Sequence, residues 1–477
     1  MSLFPLIVDL DGTLIHTDML HESALRVLRD RPQDVLRMPF WLAHGKAHLK
    51  QKLAGVSDFD PASLPYNEEL IAWLRQEKAG GRTLVLCTAS DLSIAQAIAS
   101  HLGIFDEVIA SDGAINLAGE HKAEALERRF GAAQFDYVGN SGADLAVWRR
   151  ARHAIVVNGS PRLADRAQAN CSVTKQFARA GMGPSVWRRV LRMHQWLKNL
   201  LLFVPLIAAH QVTDVNAWLT LLLALVAFSL CASSVYIAND LLDLESDRQH
   251  PRKRKRPFAS GQVPVALGVL LAPLLLLASL ALAWHVNVDF LMWLGLYFAL
   301  TCAYSWGMKR LVLIDCLTLA LLYTLRIVAG AAAAHHPLSF WLLAFAVFLF
   351  LSLAFVKRYA ELQAQTGSDK IKVHGRGYYT SDAPLVQMLG ISSGYASVVV
   401  LAMYLNSDAV LKLYRIPELV WGAVPVMLFW VSWIWMRAHR GEMHDDPLVF
   451  AVKDKASLLA GLVFGGVLTA GTLGWPW

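Results

Sequence analysis

"NDLLDLESDRQHPRKRKRP", Asn239–Pro257, is the stretch on which the reading of this chain turns. Acids come first, at Asp240, Asp243, Glu245 and Asp247, and bases follow, at Arg248, Arg252, Lys253, Arg254, Lys255 and Arg256. On one side lies "LTLLLALVAFSLCASSVYIA" and on the other "VPVALGVLLAPLLLLASLALAW". Each flank has the roughly 20 apolar residues a helix needs to cross a bilayer. Asp240, Asp243 and Asp247 stand at i, i+3 and i+7, which puts them on one face of a helix, with Asn239 beside that face and Glu245 turned away. Clustered carboxylates repel unless a cation sits among them. Magnesium takes oxygen ligands and brings phosphates with it, and the basic run complements phosphate charge. The pattern therefore reads as a magnesium–diphosphate site. A solvated loop that only fixes topology accounts for the bases but not for the spaced aspartates.

The rest of the composition agrees with a membrane protein. Of 477 residues, 55% are hydrophobic and 17% charged. From Trp196 onward, apolar segments recur at about 196–212, 217–238, 263–285, 289–307, 311–334, 338–356, 385–405, 418–436 and 456–475, giving nine candidate spans. The first is weakened by Lys198 and Asn199. Lys and Arg collect before the first segment and after the second, fourth, sixth (Lys357, Arg358, Lys370, Lys372, Arg376) and eighth, with Lys412 and Arg415 as the exception. The positive-inside rule then places the N-terminus in the cytoplasm and the C-terminus outside, in an inner membrane. Trp187, Trp196, Trp306, Trp435 and Trp475 fall mostly at helix ends, as an interfacial belt would. The net charge of +7 concentrates beside apolar segments, which favours anionic lipid and phosphate ligands over nucleic acid. Five cysteines form no C-x-x-C pair, which implies a reducing compartment without disulfides or zinc. Asp9 and Asp11 interrupt the first apolar run, so no signal peptide is expected and the N-terminal part stays cytoplasmic. Nothing in the sequence specifies the oligomeric state.

That N-terminal part alternates strand-like runs, "PLIVDLD", "RTLVLCTAS", "FDEVIAS", "FDYVGN" and "HAIVVN", with helical stretches. Such alternation predicts a parallel, Rossmann-like α/β sheet. The expected organisation is a soluble domain over 1–175 with a helical cap at about 15–80, a linker over 176–190, and an all-α polytopic membrane domain over 191–477. Asp9 and Asp11, in "DLDGT" at a strand's carboxyl end, suit a carboxylate nucleophile beside a general acid/base. Residues 3–160 resemble the haloacid dehalogenase-like (HAD) superfamily. The resemblance makes Thr88 in "LVLCTAS" a phosphate ligand, matches Lys122 in "HKAEAL", and aligns "GNSGAD" with the fourth motif. It implies magnesium held by Asp9, Asp11, Asn140 and Asp144, with Asn140 standing where the family has an acid.

Residues 188–477 resemble the UbiA superfamily of intramembrane prenyltransferases, through N-D-x-x-D-x-x-x-D after a second helix. The details are closest to the polyprenyl-phosphate phosphoribosyltransferase branch, in "HQWLKNLLLFVPL", "YSWGMKRLVLIDC", "LRIVAGAAA" and "VKRYAELQ". The resemblance implies that Asp240, Asp243 and Asp247 hold magnesium and act in catalysis. It also implies that Lys198, Asn239, Lys253, Arg254, Arg256, Tyr304, Lys309, Arg326, Lys357, Arg358 and Glu361 bind substrate. "KRYAEL" replaces the second acidic motif of aromatic prenyltransferases. Two of these residues carry a second reading. Lys198 suits interface snorkelling as well as a phosphate, and Arg326 suits a structural pair with Asp315 or a helix carbonyl as well as a substrate.

The implied activity is transfer of 5-phosphoribose from phosphoribosyl pyrophosphate to a polyprenyl phosphate, with a fused HAD-like domain that dephosphorylates the product. The alternative is a prenyltransferase acting from a polyprenyl diphosphate onto an aromatic or lipid acceptor, with the HAD-like domain as scaffold. A third reading, a transporter or lipid-binding protein with a regulatory HAD-like domain, lacks the paired inverted segments many transporters show.

Overall fold

The computed structural model describes all residues except 1–3, 57–58, 179–180, 365–375, 408–412, 444–445 and 475–477. Lys370, Lys372, Lys412 and Trp475 therefore lie outside the described residues. The chain forms two compact units, one of Met1–Leu191 with Tyr236–Ala272, the other of Arg192–Val235 with Pro273–Trp477.

The first unit is built on a six-stranded parallel sheet: β1 (Leu6–Val8), β2 (Leu84–Asp91), β3 (Glu107–Ser111), β4 (Asp136–Gly139), β5 (His153–Val157) and β6 (Ser172–Phe177), in the order β3-β2-β1-β4-β5-β6. The central strands are apolar and buried on both faces, as a sheet covered by helices requires. β6 was not foreseen. Its sequence, SVTKQF, is mostly exposed at the sheet edge and has no apolar run. The expected cap is helical, with α1 (Met19–Asp30) capped by Asp18 accepting from the Leu20 amide, and α2 (Lys46–Val56).

Tyr236–Ala272 belongs to this unit. Here the single helical face expected for the three aspartates is broken. The long helix α3 (Val215–Leu242) stops one residue before Asp243, which leaves helical geometry at ψ 11° and leads into the short helix α4 (Leu244–Gln249). A 3-10 turn at Lys253–Lys255 carries the basic run.

Eight helices among the described residues are long and apolar enough to cross a membrane. They are α3, α5 (Val265–Val286), α6 (Val288–Trp306), α7 (Ile314–Ala333), α8 (Phe340–Gln363), α9 (Ala383–Leu405), α10 (Ala423–His439) and, after the short α11 (Pro447–Lys453), α12 (Lys455–Leu473). Runs such as Leu458, Leu459 and Leu462 on α12 are exposed, the surface a bilayer would cover. The first of the nine expected spans is not such a helix. Met193–Phe203 is 3-10 and is followed by a short α-helical stretch, Val204–Ala208. Lys198 and Asn199 are buried here among polar partners, and Leu202 lies so close to α7 that a Cβ on Gly330 would stand 2.0 Å from the Leu202 carbonyl oxygen. Apart from this segment, the composition reading and the helices agree.

Candidate active sites

The aspartate motif closes on its own basic run. Arg256 Nη1 donates to Asp240 Oδ1 at 3.1 Å and to Asp247 Oδ2 at 2.6 Å, and Lys253 Nζ stands 3.9 Å from Asp247. Two buried carboxylates thus converge on one positive nitrogen. Asp243 and Asn239 are half-buried beside them, while Lys253 and Arg254 are exposed. Burial pushes the Asp247 carboxyl up, against the pull of Arg256. Among the described residues no three His, Cys, Asp or Glu side chains are gathered into a metal cluster. The donor set nevertheless fits magnesium, which is commonly held by one or two carboxylates while phosphates and waters complete its shell.

The HAD-like site sits at the carboxyl ends of β1, β2 and β4. Asp9 follows β1 and is buried; its Oδ1 accepts from Lys122 Nζ at 2.6 Å and its Oδ2 from Thr13 Oγ1 at 3.3 Å. Lys122 also donates to the Tyr137 hydroxyl at 3.0 Å, which in turn donates to Asp144 Oδ1 at 2.8 Å. Burial disfavours the Lys122 ammonium, but the neighbouring Asp9 carboxylate outweighs it and moves the Lys122 pKa up. Asp11 accepts from the Met19 amide at 2.8 Å and from Ser90 Oγ at 2.7 Å; burial, with Asp18 and Asp9 nearby, pushes it up to about 7. Thr88 is fully buried on β2, where its hydroxyl accepts from the Ser90 amide.

Asp144, expected as a metal ligand, is occupied by protein donors. Its Oδ2 accepts from the Asn140 and Ser141 amides and from Ser141 Oγ, at 3.0, 2.9 and 2.9 Å, while Tyr137 takes Oδ1. It shapes the 140–144 turn. Asn140 packs on the "DLDGT" turn. Gly12 has φ +74°, and a Cβ there would meet Asn140 Nδ2 at 2.0 Å, so only glycine fits on both counts. With Asp144 committed and an amide at position 140, these residues fit a divalent cation poorly. Sequence reading also missed Lys50, on α2, whose Nζ donates to the Ala89 carbonyl at 2.7 Å, next to Thr88.

In the second unit, two lysines expected to bind substrate meet an unforeseen acid. Asp446 Oδ2 accepts from Lys198 Nζ at 2.7 Å and lies 3.9 Å from Lys357 Nζ; Tyr323 OH donates to both carboxylate oxygens at 3.0 and 2.9 Å. Burial raises this carboxyl, but Lys198 and Lys357 together prevail and hold it at about 2. The available signal was an acid before Pro447, which marks the N-cap of α11.

The remaining expected ligands contact other groups of the protein. Arg326 is buried and donates to Asn199 Oδ1 (2.9 Å), the Tyr297 hydroxyl (3.1 Å) and the Leu322 carbonyl, which matches its structural reading through a helix carbonyl and not through Asp315. Arg358 is fully buried and pairs with Asp315 at 2.5 Å and with Glu361; Asp315 also accepts from Tyr378 OH at 2.6 Å. Tyr304 accepts from Arg376 at 3.1 Å, and Lys309 gives Arg376 its carbonyl at 3.3 Å.

Residues 200–459 match the UbiA prenyltransferase family, and residues 6–149 match the haloacid dehalogenase-like hydrolases. A Sinorhizobium fredii protein, y4nM, is 38% identical over 460 residues, 96% of this chain and 89% of its own. The nodulation protein NoeC of Azorhizobium caulinodans is 37% identical over 57% of this chain and 90% of its own. The decaprenyl-phosphate phosphoribosyltransferase of Mycolicibacterium smegmatis is 32% identical over 59% of this chain and 91% of its own.

Proposed function

Because the chain belongs to the UbiA prenyltransferase family and carries a HAD-like domain ahead of its membrane helices, we propose that it transfers 5-phosphoribose from phosphoribosyl pyrophosphate to a polyprenyl phosphate at the cytoplasmic face of an inner membrane. The observation that carries this reading is the convergence of Asp240 and Asp247 on one cationic position, joined directly to a basic run. The likeness to the mycobacterial phosphoribosyltransferase supports the choice of donor. Arg358 and Glu361 support it too. They pair with each other, and Arg358 also pairs with Asp315, so "KRYAEL" supplies no second acidic site for a prenyl diphosphate.

A lipid phosphate oxygen attacks the anomeric carbon of the donor, and the bond from that carbon to the diphosphate oxygen breaks. The attacking phosphate is already anionic, so no strong base is required. Magnesium bound by Asp240 and Asp247, with Asp243 near, would neutralise the departing diphosphate. Arg256 must give up its carboxylate contacts to let the cation in, and it is then free to join Lys253 and Arg254 on the phosphates. Full-length protein given donor, polyprenyl phosphate and magnesium should release pyrophosphate only when all three are present. Release without the lipid phosphate, or none at all, rejects the reading.

For the HAD-like domain, the supported reaction is removal of the 5-phosphate from that product. Asp9 attacks phosphorus, the bond from phosphorus to the sugar oxygen breaks, and Asp11, protonated up to near neutrality, gives its proton to that oxygen, while Thr88 and Lys122 hold the phosphate; water then attacks the phosphorus of the acyl phosphate on Asp9, giving its proton to Asp11 and freeing inorganic phosphate. A covalently tethered second site would also meet the lipid product at high effective concentration.

A further inference from the structure

The aspartate motif is anchored by a residue of the HAD-like domain. Glu22, on α1, and Arg248, next to Asp247, form a two-pronged pair: Arg248 Nη2 donates to Oε1 at 2.6 Å and Nη1 to Oε2 at 3.2 Å. Their side chains are 2% and 5% exposed. Thr17 Oγ1 fixes Glu22 from behind at 2.7 Å. The third side of the guanidinium is used as well, because Arg248 Nε donates to the Ala259 carbonyl at 3.0 Å. Ala259 lies three residues beyond Arg256. Arg248 therefore ties together α1, the helix that carries Asp247, and the loop that carries Arg256. The same loop lies against the turn after Asp11: Gly261 has φ +71°, and a Cβ there would fall 2.4 Å from His16 Cβ and 2.8 Å from the His16 carbonyl oxygen.

We propose that Glu22 is a positioning residue for the transferase. It holds Arg248 so that Asp247 and Arg256 keep the separation needed to receive magnesium and diphosphate. The HAD-like domain is then part of the transferase scaffold whatever its own hydrolytic activity. This inference rests on the magnesium–diphosphate reading of the aspartate motif. The alternative use of the pair, as a strut that only docks two segments, leaves the metal site unaffected. Loss of the carboxylate separates the two roles. An unpaired, buried Arg248 guanidinium would no longer hold its place, and Asp247, its neighbour in the chain, would lose its fixed position for the metal. Partners that orient metal ligands from behind typically change affinity roughly 10–100-fold when removed.

The test uses the full-length protein in nanodiscs and reads calorimetric binding of magnesium with inorganic pyrophosphate, alongside the thermal midpoint. Glu22→Gln, which keeps shape and loses charge, should weaken binding about tenfold or more, and Glu22→Asp should recover part of it. Thr17→Val, which leaves the ion pair in place, should give a smaller loss in the same direction and covers the case in which Glu22→Gln does not fold. Arg29→Ala is the control. It breaks a partly exposed pair with Glu245 at 3.2 Å and should leave affinity unchanged. Wild-type affinity in both Glu22→Gln and Thr17→Val, with only the midpoint lowered, overturns the positioning role and leaves the transferase reading intact. A wild-type protein that binds no magnesium pyrophosphate removes that reading, and this inference with it.

Discussion

Asp446→Asn should be among the most damaging conservative changes in the second unit, and its size can be worked from the geometry. The carboxylate is 9% exposed, sits 2.7 Å from Lys198 and 3.9 Å from Lys357, and accepts from Tyr323. At an effective dielectric constant of about 20, those two contacts amount to about 6 and about 4 kcal/mol of attraction before desolvation is charged against them. The net is smaller. A carboxyl moved from 3.8 to about 2 corresponds to about 2.5 kcal/mol. Removing one partner of a buried pair typically costs about 3–5 kcal/mol, because the other charge is left unpaired. The expected loss is therefore about 3 kcal/mol. The sign with pH follows from the lowered folded pKa. The contribution is fully present above the unfolded value near 3.8, and it fades as pH falls through that value toward about 2. Thermal unfolding of wild type and Asp446→Asn in nanodiscs should show a deficit that is constant from pH 7 to about 5 and shrinks below pH 4. A mutant as stable as wild type at pH 7, or a deficit that grows on acidification, would refute the reasoning.

Asp240→Asn should lower transfer by about 100-fold or more with the fold intact, because a charge facing the metal is lost; near-normal turnover at saturating magnesium rejects the metal assignment. Arg256→Gln should tighten magnesium binding in the absence of donor, since the resident cation is removed, while raising KM for the donor; calorimetry and initial rates measure the two separately. In the HAD-like site, Asn140→Asp should add a magnesium response to the release of inorganic phosphate from the phosphorylated lipid, and Asp9→Asn should abolish release. Equal accumulation of phosphorylated lipid by wild type and Asp9→Asn would remove the phosphatase reading.

What the sequence discloses depends on whether a residue's partners are near it in the chain. The strands β1, β2, β4 and β5 carry their own apolar runs, and the spanning helices carry their own length, so both are readable in one pass. β6 is not, because an edge strand faces solvent and needs no apolar run. The clustering of the aspartates was legible but its shape was not: the helix ends before Asp243, and Asp240 and Asp247 meet through Arg256, nine residues beyond Asp247. Asp446 and Glu22 escaped because their partners are distant in sequence; Lys198 lies 248 positions from Asp446 and Arg248 lies 226 from Glu22. Arg358's ion-pair partner escaped for the same reason. The resemblance at "KRYAEL" marks it as a ligand, and only the fold shows Asp315 facing it.

Donor choice tests the proposed transfer most directly. Full-length protein in nanodiscs, with polyprenyl phosphate and magnesium, is given pentose-labelled phosphoribosyl pyrophosphate in one reaction and a chain-labelled polyprenyl diphosphate with an aromatic acid in the other. The expected result is pentose label in the lipid extract, with one pyrophosphate released per lipid modified, and no labelled aromatic product. Prenyl transfer to the aromatic acid, with no pentose entering the lipid, would contradict it.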